Sequence, residues 1–173
     1  MAKGIDFARL SLKDALDLAI LIEDEARERY EEFGDQMEIH HTPEAAAFFR
    51  AMAGNEVKHG LQLAAQRKSL FNTEPSRMDR SMLWDVEAPE FSEARAFMSV
   101  RQAMDVALQA EIKAHDYFAE GLRHVKDPEV RALFEELREE ELGHRDLILR
   151  ELAKLPPDTG AKPDDYEDEP VAQ

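Results

Sequence analysis

The chain has 173 residues, with 22 Lys plus Arg against 38 Asp plus Glu, for a formal net charge of −16. That length suits one domain with a sizeable core, and 43% apolar with 35% charged residues describes patterned segments, not a disordered chain. The absence of Cys excludes disulfides, thiolate-bound clusters and a cysteine nucleophile. So large an acidic excess argues against a nucleic-acid partner and suits cations. The longest unbroken apolar stretch, Leu18 to Ile22, cannot span a membrane or serve as a secretory core, so a cytoplasmic protein is expected.

Helix signals then follow one another along the chain. Ser11 with Asp14 three residues on predicts a capped first helix over residues 11–38. Thr42-Pro43-Glu44 combines a capping residue, a proline at the first helical position and an acid in the first turn, predicting a second helix over 43–70. Residues 71–91, with Asn72, Pro75 and Pro89, read as a long crossover holding a short helix around Met82–Val86. Ser92 is expected to cap a third helix, 92–125. Asp127-Pro128-Glu129 opens a fourth, 128–155, which Pro156-Pro157 ends. No useful period-2 segment appears, so residues 1–157 are predicted to form an all-α, antiparallel four-helix bundle of two αα-hairpins. Residues 158–173 hold six acids and one Lys, and read as a disordered acidic tail.

The two halves resemble each other. Ala19 to Ala26 followed by Tyr30 aligns with Ala107 to Ala114 followed by Phe118, and Thr42-Pro43-Glu44, Phe49, Met52, Glu56 and His59 align with Asp127-Pro128-Glu129, Phe134, Leu137, Glu141 and His144. On each helix an apolar stripe at spacings of three and four is interrupted in mid-course by Glu23, by Glu56 with His59, by Glu111, or by Glu141 with His144. At 1.5 Å per residue, Glu23 lies about 21 Å below its hairpin turn and Glu56 about 20 Å. The second hairpin gives about the same heights for Glu111 and Glu141, so the four carboxylates are expected at one level of the core.

Four buried carboxylates cannot stay ionised without partners. Two divalent ions would supply the matching charge, and an oxygen and imidazole donor set suits iron or manganese, with zinc a possible substitute. Composition alone yields about 0.8 Glu-x-x-His matches, so one would be worthless; three occur. Glu38-x-x-His41 sits at a turn off any stripe and reads as the chance match. Tyr30 is a candidate second-shell donor to a ligand carboxylate, and His115, one turn beyond Glu111, a candidate extra group. Gly60 and Gly143, each beside a ligand His, read as points of close helix approach.

A Glu from each of two helices plus Glu-x-x-His from the other two is the ligand pattern of ferritin-like carboxylate proteins. On Glu23-x-x-Ala26-x-x-x-Tyr30, Glu56-x-x-His59, Glu111-x-x-Ala114-x-x-x-Phe118 and Glu141-x-x-His144, the chain resembles the ferritin-like superfamily, and most of all rubrerythrin-type diiron proteins, over about Leu12 to Leu155. The resemblance implies two Fe ions per bundle, bridged by Glu56 and Glu141, with Glu23 and Glu111 terminal and His59 and His144 giving one nitrogen to each ion. It departs from the family pattern in lacking the four-Cys rubredoxin domain, in Ala114 where a further carboxylate is usual, and in Phe118 opposite Tyr30. These departures draw the ligand set toward that of bacterioferritin. The implied function is a non-haem diiron oxidoreductase of ferroxidase or peroxidase type. Fe2+ with O2 or H2O2 would be its substrates, and an external electron donor its partner. Iron storage is the alternative, and a non-redox helical module with a structural metal a minor one. A homodimer is expected, with Leu10, Leu18 and Leu21 off the ligand stripe as candidate interface residues.

Overall fold

The computed structural model describes residues 5–83, 86, 88–89 and 98–156. The acidic tail and Ser92 lie outside the described residues. Four long helices are present and no strand is found among the described residues: α1 (Leu12–Ile39), α2 (Pro43–Phe71), α3 (Val100–His124) and α4 (Pro128–Leu152). Single 3-10 turns precede α1 (Phe7–Arg9) and lie in the connection (Arg80–Met82).

Local chemistry accounts for the helix ends. Ser11 accepts a hydrogen bond from the Asp14 amide at 3.2 Å, and Asp127 accepts from the amides of Glu129 and Val130. Thr42 stands at the cap position of α2 but its hydroxyl donates to the Met37 carbonyl at 3.0 Å, tying the hairpin turn to the end of α1. His41 takes a left-handed φ of 60° in that turn, so the third Glu-x-x-His match is broken across it. The described α3 starts later than the sequence suggests. Ser99 is extended, and a reciprocal capping box with Gln102 begins the helix at Val100.

α1 packs on α2 and α3 on α4, giving two hairpins. The core divides into two clusters. One joins the start of α1 (Leu16, Ala19, Ile22) to the ends of α2 and α3 and the start of α4 (Leu63, Phe118, Phe134). The other joins the end of α1 (Tyr30, Phe33) to the starts of α2 and α3 and the end of α4 (Phe49, Met104, Ile148). This places α1 antiparallel to α3 and α2 antiparallel to α4, so the connection must travel the length of the bundle. It does so along α1. Arg67 fastens its first residues to Asp17, Arg80 pairs with Glu28 through two contacts of 2.6 Å, and Arg29 donates to the Pro89 carbonyl. Leu10 and Leu18 share the first cluster with Leu83 and Val86 of this connection and are buried within the chain, so they are not an interface awaiting a second copy.

Gly121 is the position where backbone closeness is required. A Cβ there would sit 2.6 Å from Cε2 of Phe134 and 3.3 Å from Phe7. Gly121→Ala is therefore expected to destabilise the protein by about 1–3 kcal/mol, the range for overpacking a filled core, readable as a lowered urea midpoint. An unchanged midpoint would show that the Phe134 ring moves aside freely. By contrast nothing lies within 4 Å of a Cβ at Gly143, and one at Gly60 would make ordinary contact with Glu23 at 3.6 Å. Neither glycine is a close-approach point.

Candidate metal centre

Between the two apolar clusters lies one polar layer. Glu23, Glu56, Glu111 and Glu141 are all buried, from 0% to 3% exposed, one from each helix. His59 and His144 sit beside them at intermediate exposure, their rings stacked 4.8 Å apart and 4° from parallel across the seam between α2 and α4. The helical repeat explains the layer. Each carboxylate occupies a core-facing position that the stripe above and below it fills with apolar side chains.

Glu23, Glu56 and His59 offer ligand atoms that all lie within 4.8 Å of one another, and so do Glu56, Glu111 and His144. Glu56 belongs to both groups. Within them the His59 and Glu23 side chains approach to 3.8 Å, and Nδ1 of His144 lies 3.1 Å from Oε2 of Glu111. Glu141 approaches His144 at 4.0 Å, outside both mutual groups. Tyr30 donates to Oε1 of Glu111 at 3.4 Å, while His115 pairs with Asp116 at 3.0 Å and joins neither group.

The electrostatics of this layer follow from burial. Neither oxygen of Glu56 has a hydrogen-bond donor in reach among the described residues. Burial first, and the Glu111 charge second, push Glu56 up to about 7, with partial relief from the adjacent Glu23 carboxyl, which can share a proton with it. Burial and the neighbouring His144 hold His59 below the usual histidine range. Burial also pulls on His144, but its hydrogen bond to Glu111 and the charges of Glu111 and Glu56 outweigh this and leave it above that range. In the absence of cations, protons on Glu56 and His144 reduce the negative charge of the layer.

Divalent cations fit the same places. The donors are oxygens and imidazole nitrogens without sulfur, which suits iron or manganese. The orphaned Glu56 oxygens lack only a positive partner, and each ion would find its own imidazole. Metal would replace protons, so binding is linked to pH. Sequence periodicity pointed to the six residues; the pairing of His144 with a carboxylate of α3 depends on packing between helices and had no local signal.

The rubrerythrin family profile matches residues 14–153. Among solved structures, an uncharacterized conserved protein from Magnetospirillum magnetotacticum MS-1 is 28% identical, with a TM-score of 0.67 and coverage of 85% of this chain and 97% of that one. A hypothetical protein from Pyrococcus furiosus, 22% identical, shares the fold with a TM-score of 0.51, covering 87% of this chain and 95% of its own. No curated protein matches the sequence. With a buried carboxylate and histidine layer inside a four-helix bundle, and a match spanning most of its length, the chain belongs to the rubrerythrin family.

Proposed function

We propose that the protein is a non-haem diiron oxidoreductase that reacts Fe(II) with H2O2 or O2, in the manner of a peroxidase or ferroxidase. Glu23, Glu56, His59, Glu111, Glu141 and His144 are its metal ligands. The observation that carries this reading is the position of Glu56, shared by two groups that each contain a separate imidazole. When bound as Fe(II), the two ions supply the electrons that reduce the oxidant, and an external donor restores them.

The chain's own residues do the rest. Glu56, common to both ligand groups, would hold both ions. Glu141, buried beside His144, would supply the fourth carboxylate. Tyr30 orients Glu111 through its hydroxyl, and the corresponding position of the second hairpin, Phe118, makes no such bond, so the two halves differ chemically. The apolar clusters above and below exclude bulk water and hold the carboxylates at their heights.

Anaerobic ferrous protein mixed with H2O2 or with O2 in a stopped-flow instrument tests the reading. Oxidation much faster than that of free Fe2+ with at least one oxidant is expected, and it should vanish in Glu56→Ala. If neither oxidant reacts faster than with free Fe2+, the proposal is wrong.

A further inference from the structure

A cavity of about 50 Å³ opens between α2 and α4 directly outside His59. Its polar walls are unequal. α4 contributes Glu136 and Glu140, one turn apart, and α2 contributes the neutral Gln62 and Gln66, with leucines of both helices filling the remainder. The two helices run antiparallel here, so side chains meet in steps. By helical position Gln66 and Glu136 come first, Gln62 and Glu140 next, and His59, stacked on His144, forms the inner end. Glu136 to His144 is eight residues, about 12 Å along the helix axis. The outer residues are exposed, Glu140 is half-buried, and the imidazoles border the buried carboxylate layer.

The two acids of this wall repel each other, as like charges at i and i+4 of a helix do. Arg138 turns to Glu139, and no Lys or Arg pairs with Glu136 or Glu140 among the described residues. Two carboxylates without a Lys or Arg partner among the described residues therefore line a narrow slot that ends on an imidazole of the proposed centre.

We propose that this slot is the entry vestibule for divalent cations, with Glu136 and Glu140 taking a partly hydrated metal ion in turn and passing it to His59 at the inner end. They are delivery residues and not ligands of the final site. The inference rests on the metal-centre reading above and adds to it a route and two residues that set the rate of loading. The partner it identifies is a small divalent cation. Paired carboxylates attract such an ion, and the two glutamines offer carbonyl oxygens on the opposite wall.

The probe is Co2+ alone, mixed with metal-free protein, because its visible ligand-field absorption reports ligation and requires no turnover. The amplitude tests the centre and the rate tests the vestibule. The double variant Glu136→Gln/Glu140→Gln is expected to reach wild-type amplitude about 10-fold more slowly at low ionic strength. That gap should close near 1 M salt, where the screening length is about 3 Å. Glu139→Gln removes the same kind of charge from the same helix but faces solvent, and should change the rate less than twofold. Gln62→Glu, adding a carboxylate to the neutral wall, should accelerate loading.

A double variant that loads no more slowly than Glu139→Gln overturns the vestibule and leaves the centre standing. Loss of its amplitude also overturns it, because the two acids would then hold the metal rather than deliver it. If wild-type protein develops no ligand-field absorption at all, the metal-centre reading fails, and the vestibule with it.

Discussion

Glu56→Ala is expected to lose both metal ions together and yet to gain on the wild type in metal-free stability as pH rises. The carboxylate is 1% exposed, has no cationic or amide donor against it among the described residues, and contributes to both candidate ligand groups. Its folded-state value of about 7 lies above the ordinary 4.5. The folded metal-free chain therefore keeps a proton on Glu56 that the unfolded chain gives up between those values. The stability this contributes is fully present below about pH 4.5 and is lost as pH rises through 7, a change of about 3 kcal/mol by pH 8. Urea unfolding of metal-free wild type and variant at pH 5 and pH 8 measures it. The difference between the two proteins should move by that amount in the variant's favour at pH 8. A titration with Co2+ should show two ions bound to wild type and none to the variant. Retention of one ion would show that Glu56 is not shared, and a pH-independent difference would show that its burial is relieved in solution.

Asp17→Ala is expected to destabilise the protein by about 3 kcal/mol, the lower end of what breaking a buried charge pair costs. Asp17 is 7% exposed and bonds Nε of Arg67 at 2.7 Å and Nζ of Lys13 at 2.8 Å. Arg67 in turn donates to the carbonyls of Asn72 and Glu74, so a single carboxylate anchors the point where the chain leaves α2 for the long connection. Burial alone would raise the Asp17 carboxyl, but Arg67 and Lys13 outweigh it and hold it below the usual range. The contribution is therefore present at neutral pH and is lost on acidification. For a chain of this size the change corresponds to a fall in Tm of about 6–12 °C. Limited proteolysis should also cut faster between Asn72 and Pro75, where the freed carbonyls lose their guanidinium. A melting shift under 2 °C would show that Lys13 and solvent replace the anchor.

The helices were legible because their signals are local. Asp127-Pro128-Glu129 caps and starts α4 by contacts that span only three residues, and an apolar stripe needs no knowledge of its partner. The two Glu-x-x-His motifs stood out because they recur at matching heights of a repeated hairpin, whereas Glu38-x-x-His41 falls where His41 reverses the chain. The start of α3 was less legible. The described helix opens at Val100, where the Gln102 side chain folds back on the Ser99 amide, and the expected cap Ser92 lies outside the described residues. Gly121 gave no sign, since its meaning comes from the Phe134 ring of another helix.

Residue order was enough to establish an all-α bundle of two related hairpins and the presence of four carboxylates and two imidazoles on their inner faces. Both depend on periodicity and caps, which act within a few residues. Three-dimensional packing alone decided that Glu56 belongs to two groups, that Leu18 is buried in one cluster with Leu83 and Val86, and that Glu136 and Glu140 border a slot ending at His59. These relations join residues far apart in the chain. They follow from how four helices turn about their axes to bury their apolar stripes, a choice that no single helix makes alone.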